Sequence, residues 1–403
     1  MQMFFFTTAN DCLRVSQHGA QKCFYILGQL YIKDQKYRVF VDSVVKDPFT
    51  FTILDNGVGD EGEVIDNNQL IELVDKLHPT EVIPLDYLYD AKKTIQSCEE
   101  FVKKLKKIKT STRILFVPQG KDLSEYLLCY KWALKNTDIA TIGLSKKAVP
   151  YVFRTKKTTP SIEEARTRLY SILMKKRLIE KPIHLLGCGS VEEFKLYEDN
   201  SFIRSCDSCI AYLSAVRGCL FTDKNWTRFA TPKNLFDINT NVINLMIFDQ
   251  NKDIMNSYIK KPKADILIGE ALTGKSYYAN QIKNLKPNLY NRIIEVGDIV
   301  REITKTQQRK FNVNDDLILN YIRRLQIKSN ETILIVGPRT YYIMKQLLVL
   351  FDVRSIVKLT TSITTRKMRF LRDTAVKNKK IKFATIYKRE KELRSLMKVL
   401  QGK

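Results

Sequence analysis

The sequence lacks any long apolar run. None of its 403 residues sits in a stretch of the ~18 consecutive apolar positions that a membrane-spanning helix needs, so no such helix and no membrane partner is expected. A disulfide framework is also missing. The cysteines, Cys12, Cys23, Cys98, Cys129, Cys188, Cys206, Cys209 and Cys219, are scattered and read as reduced thiols. The single C-x-x-C, Cys206 to Cys209, has neither a second pair nor a suitably spaced histidine, which removes the usual zinc pattern. Low-complexity tracts and internal repeats are absent. Met1 to Ala9 is apolar but has no basic leader and runs on into polar sequence, so it does not read as a secretory signal; the expected location is the cytoplasm.

Acidic residues are scarce toward the C-terminus. After residue 260 there are 31 of the 68 Lys and Arg but only 12 of the 43 Asp and Glu, a net of +19, against +6 for everything before it. A polyanion such as nucleic acid suits that surplus; a solvated lysine-rich surface is the alternative.

What is present is alternation. Residues 1–258 show apolar runs, among them Tyr37 to Val41, Glu81 to Leu85, Arg113 to Val117, Asp138 to Ile142 and Ile183 to Leu186, separated by helical patterns such as Ala91 to Lys107 and Ile162 to Leu178. Alternating strands and helices imply a parallel α/β sheet, and this length fits an eight-stranded β/α barrel of the TIM type. Pro262 interrupts the pattern, so 259–263 read as a linker and 264–403 as a second α/β domain with a parallel sheet.

That second domain opens on Gly269-Glu270-Ala271-Leu272-Thr273-Gly274-Lys275-Ser276, which satisfies G-x-x-x-x-G-K-[ST] at every fixed position. An apolar run, Ala264 to Ile268, precedes it and a helical pattern follows. In that context the glycines let backbone N–H groups turn toward a phosphate, Lys275 reaches the outer phosphates and Ser276 holds Mg²⁺. ATP and Mg²⁺ are the expected ligands.

In a barrel, chemistry sits just past the strand ends. There lie Val41-Asp42-Ser43, Leu85-Asp86, Val117-Pro118-Gln119-Gly120, Ile142-Gly143-Leu144, Leu186-Gly187-Cys188-Gly189 and Ser205-Cys206-Asp207. In this order, over about residues 38–220, they resemble the motifs of the tRNA-guanine transglycosylase superfamily, closest to the branch that places 7-deazaguanines in DNA. The resemblance implies Asp207 as nucleophile, Asp42 as general acid/base, and Asp86, Gln119, Gly120, Gly143 and Leu144 as readers of a guanine-like base. It also implies a 7-deazaguanine base and a nucleic acid as partners. The family's C-x-C-x-x-C zinc site after the nucleophile is absent, which favours DNA over tRNA, and Val44-Val45-Lys46 stand where the family has glycines.

The C-terminal domain resembles nucleoside-monophosphate kinases of the adenylate-kinase type. Gly297-Asp298-Ile299-Val300-Arg301 and Gly337-Pro338-Arg339-Thr340 match two of their motifs, and Arg366, Arg369 and Arg372 are placed like their lid arginines. The resemblance implies Asp298, Arg301, Arg339, Arg366, Arg369 and Arg372 around a transferred phosphoryl group. The run Ile333 to Val336 lacks the acidic residue such kinases place there. The competing account is a phosphate-loop kinase for nucleotides or nucleic acids whose barrel is only a binding platform.

Overall fold

The protein is described here from a computed structural model, which covers residues 2–5, 23–58, 64–156, 158–191, 193, 196–197, 202–223, 244–305, 314–377 and 390–399. The chain divides into two compact units, Met1–Lys260 and Lys261–Lys403, a division that falls inside the expected linker.

The first unit is a barrel of parallel strands in sequence order. Strands β2 (Cys23–Leu27), β3 (Phe51–Asp55), β4 (Glu81–Val82), β5 (Arg113–Phe116), β6 (Ile139–Ser145), β7 (Ile183–Leu186) and β8 (Ile203–Ser208) pair each with the next. The short β1 (Gln2–Phe5) pairs with both β2 and β8 and closes the sheet. Of the apolar start, only these four residues are described. Strands β2 to β8 are buried along nearly their whole length, as strands covered by helices must be.

One expected strand is a helix. Tyr37 to Val41 alternates like a strand, yet it lies in the helix Gln35–Val44. Asp34 caps this helix, its carboxylate accepting from Tyr37 N at 2.8 Å. Such a cap stabilises a helix by about 1 kcal/mol. The buried positions Tyr37, Phe40, Val41 and Val44 follow helical spacing, i, i+3, i+4 and i+7, so one face packs on the barrel unit. Elsewhere the helix starts are chemically explicit: Asp66 with Gln69, and Ser161 with Glu164, form reciprocal capping boxes ahead of the helices Asn67–Leu77 and Ile162–Lys175.

The second unit holds a four-stranded parallel sheet in the order β10 (Arg292–Glu295), β11 (Thr332–Val336), β9 (Lys263–Ile268), β12 (Asp352–Lys358). The central strands β9 and β11 are apolar and buried, while β12 alternates exposed and half-buried residues as an edge strand does.

Candidate active sites

The barrel carries a cavity at the C-terminal ends of its strands. Asp55 at the end of β3, Asp86 after β4, Ser145 and Lys146 at the end of β6, Gly187 after β7 and Asp207 in β8 all line it. Asp86 and Asp207 were expected at one mouth, and both are there. Asp207 accepts hydrogen bonds on Oδ1 from His184 Nε2 at 3.1 Å and from Gly187 N at 3.0 Å. Its Oδ2 has no hydrogen bond among the described residues. Gly187 has φ +71, a left-handed backbone conformation that favours glycine and turns this donor toward Asp207.

Asp86 is buried and accepts from Asn56 Nδ2 at 2.9 Å and from Gln119 Nε2 at 2.6 Å. Burial pushes its pKa up to about 6, and the hydrogen bonds from Asn56 and Gln119 only partly oppose that shift. Gln119 is fully buried behind Asp86; its Oε1 accepts from Tyr89 N at 3.1 Å. It therefore orients Asp86 and does not line the cavity. Gly120 is a packing residue too, since a Cβ there would meet Tyr126 N at 2.4 Å.

Asp42 does not belong to this mouth. It sits on the helix Gln35–Val44, accepts from the Tyr31 hydroxyl at 2.8 Å, and lines no part of the cavity. The strand-end carboxylate that does is Asp55, whose Oδ2 accepts from Gly57 N at 3.2 Å. Phe51-Thr52-Ile53-Leu54-Asp55-Asn56-Gly57, a fully buried strand running into a turn, carried that signal in the sequence. Gly143 and Leu144 also differ from expectation. Gly143 is packed, with a Cβ destined to lie 2.9 Å from both Leu115 and Leu186. The Leu144 carbonyl accepts from the buried Arg166 Nη2 at 2.9 Å.

Below the mouth the barrel interior is polar. Glu81 of β4, Thr141 of β6 and Arg204 of β8 meet across it, as side chains from alternate strands do in a filled barrel. Arg204 Nη2 donates to Glu81 Oε2 at 2.9 Å, Arg204 Nη1 donates to Thr141 Oγ1 at 2.9 Å, and Thr141 donates to Glu81 Oε1 at 2.8 Å.

In the second unit the loop between β9 and the helix Lys275–Leu285 borders a cavity of about 710 Å³. Gly274, at φ +95, makes the turn into the helix. Lys275 Nζ rests on the loop's own carbonyls, Gly269 O at 2.6 Å and Glu270 O at 2.7 Å. Arg301, Arg339 and Arg369 line the cavity. Arg366 does not. It is fully buried beneath the loop, 2.7 Å from both Glu270 and Glu390, and donates from Nε to Ala271 O at 2.9 Å. A guanidinium so engaged braces the loop and cannot swing onto a phosphoryl group. Arg372 is exposed and away from the cavity, and the exposed Asp298 is paired with Arg301.

The acidic group missing from β11 comes from β10. Glu295 Oε2 accepts from Ser276 Oγ at 2.6 Å, and both line the cavity. Sequence reading missed it because strand order in space, which brings β10 round to the loop, is not written in any local pattern. Adjacent hydroxyl and carboxylate oxygens are the donor set that Mg²⁺ prefers. Among the described residues no group of three or more His, Cys, Asp or Glu is placed to hold a metal by itself.

No protein-family model and no curated protein matches this chain. Among solved structures, RipC from Yersinia pestis is similar at 12% identity and a TM-score of 0.32, over 52% of this chain and 89% of that one. Cryptosporidium parvum pyruvate kinase is similar at 9% identity and a TM-score of 0.42, over 94% and 93%. Likenesses this distant carry no weight in the functional argument.

Proposed function

We propose that the barrel, a TIM-type β/α barrel of the transglycosylase kind, exchanges guanine for a 7-deazaguanine in nucleic acid, DNA before tRNA, and that the second unit is a phosphate-loop, kinase-like domain binding ATP and Mg²⁺. The observation that carries the first half is the convergence of Asp55, Asp86 and Asp207 on one mouth. Asp207 Oδ2 attacks C1′ of the target nucleotide. The C1′–N9 bond breaks with its electron pair going to N9, and Asp55, as the acid, protonates the departing base. In the second step Asp55, now ionised, takes the proton from the entering base, whose nitrogen attacks C1′ and releases Asp207 as a carboxylate. Two inversions give net retention. The target base cannot react inside a duplex stack, so the nucleotide must be flipped or single-stranded.

The experiment is labelled-guanine release and exchange run side by side on DNA and tRNA. Exchange on DNA supports the reading; none on either substrate overturns it.

Asp86 supplies the pH dependence. A guanine edge presents two N–H donors, which an ionised carboxylate accepts and a protonated one does not. Because burial raises this pKa to about 6, affinity for the base is present above pH 6 and lost as pH falls through it. The base KM is expected to rise roughly tenfold per unit below that point. A profile flat from pH 5 to 7 would contradict the role.

In the second unit, Ser276 would hold Mg²⁺ directly and Glu295 through water, with Lys275, Arg301, Arg339 and Arg369 facing the phosphates. Held there, a metal would neutralise phosphate charge. Glu295→Gln is expected to remove about tenfold of the Mg²⁺-dependent gain in ATP affinity and leave Mg²⁺-free affinity within about twofold, as titration calorimetry with and without EDTA would read. An unchanged Mg²⁺ effect would place the metal elsewhere.

One observation favours the second reading, a kinase on a passive barrel. The cavity of about 710 Å³ at the phosphate loop is of ligand size, whereas that at the barrel mouth is about 60 Å³, room for only a few waters. Base entry therefore requires wall side chains to move, and Lys146 is a long, unbranched one.

A further inference from the structure

Of the buried titratable groups that the mechanism above leaves unused, His184 touches the nucleophile. We propose that His184 is a positioning residue for Asp207, donating to it from Nε2 while Ser205, itself held by Arg204, supports Nδ1, so that one carboxylate oxygen is pinned and the other faces the sugar. The proposal rests on Asp207 being the nucleophile.

The hydrogen-bond directions follow from chemistry. A guanidinium can only donate, so Arg204 Nε, 3.1 Å from Ser205 Oγ, makes that oxygen an acceptor. That oxygen keeps a second lone pair, so the carboxylate decides: Asp207 Oδ1 can only accept, His184 Nε2 therefore donates to it, and the serine hydroxyl donates to Nδ1 at 2.8 Å. With Nδ1 accepting, the ring proton is on Nε2 and points at Asp207 Oδ1, 3.1 Å away. The opposite tautomer would set two lone pairs against each other, Nε2 against a carboxylate oxygen. Ring orientation is also set: Tyr25 stacks on the imidazole with centroids 6.1 Å apart and planes 8° from parallel. His184 is fully buried, and burial, the largest influence on it, lowers its pKa against the pull of Asp207. A neutral donor holds the carboxylate without neutralising its charge.

Together with Gly187 N, His184 occupies Oδ1 alone. Rotation of the carboxylate about its Cβ–Cγ bond is thereby blocked and Oδ2 is presented to the cavity. A core histidine with no such role would also be satisfied here, so the test must read more than folding.

The chain has three histidines, His18, His78 and His184, so ¹⁵N-histidine labelling of the full-length protein, with His184→Gln for assignment, reports the tautomer directly. The expected spectrum has an unprotonated Nδ1 and a protonated Nε2 at pH 7. In base exchange, His184→Ala is expected to lower kcat about 100-fold, the scale of a misplaced reacting group, with the base KM within about twofold. His184→Gln, whose amide can donate near the Nε2 position, is expected to recover at least tenfold. An Nδ1–H or doubly protonated ring overturns the proposal, as does wild-type kcat in His184→Ala or equal loss in Ala and Gln variants of matching melting temperature. If the alanine variant does not fold, Ser205→Ala, expected to lower kcat about tenfold, takes its place. Wild-type protein with no exchange at all would instead fail the base-exchange reading, and this role with it.

Discussion

Asp207→Asn is expected to abolish base exchange, lowering turnover by at least about 10³-fold, the smaller end of what removal of a covalent nucleophile costs. The substitution is chosen for what it keeps. An asparagine carbonyl can still accept from His184 Nε2 and Gly187 N, the two donors that now hold Oδ1 at 3.1 and 3.0 Å. Fold, cavity and orientation are therefore retained, and only the attacking oxygen is replaced by an amide nitrogen with no available lone pair. Affinity for the free base, read from Asp86, should change little. The covalent adduct between protein and nucleic acid, visible by denaturing electrophoresis after the entering base is withheld, should vanish. Undiminished exchange, or an adduct mapped to Asp55 or Asp86, would remove Asp207 from the mechanism. ATP binding in the second unit should be untouched, which separates loss of the site from loss of the protein.

The alternation of strand and helix was legible because barrel strands are short apolar runs closed off by polar turns, and β4 to β8 fall within or beside the runs read from the sequence. Asp86 and Asp207 were legible because each ends such a run. Two kinds of information were not. The first is periodicity in short segments. Tyr37-Arg38-Val39-Phe40-Val41 satisfies a two-residue and a 3.6-residue pattern together, and the decision is made by Asp34, which caps a helix. Misreading that segment put Asp42, and not Asp55, at the mouth of the barrel. The second is what meets in space. Glu295 beside Ser276, Arg366 buried against Glu270 and Glu390, and His184 against Asp207 are contacts between residues 19 to 24 or more apart, set by sheet order and helix docking. The strand, turn and helix around Gly269 to Ser276 were readable because that pattern is local: two glycines, a lysine and a serine in eight residues.

Arg204→Met should cost about 3–5 kcal/mol, the range found when one partner of a buried ion pair is removed. Arg204 and Glu81 are both fully buried, so the variant leaves the Glu81 carboxylate with Thr141 as its remaining described hydrogen-bond donor and no counter-charge. Thermal unfolding of the barrel unit should fall by on the order of 10 °C; a shift of a degree or less would mean that the pair is solvated. The double variant Glu81→Met/Arg204→Met removes both charges and should regain most of the loss, because desolvating two charges offsets much of what their attraction contributes. Activity should not follow stability. Without Arg204 Nε, the Ser205 hydroxyl loses the donor that fixes its place, and with it the support under His184 Nδ1 that sets the ring against Asp207. The double variant is thus expected to melt near the wild type and still turn over about tenfold more slowly, a smaller defect than the misplacement of the carboxylate itself. Full recovery of both would make the polar column a packing solution only; recovery of stability alone would show that the charges buried in the barrel serve the carboxylate at its mouth.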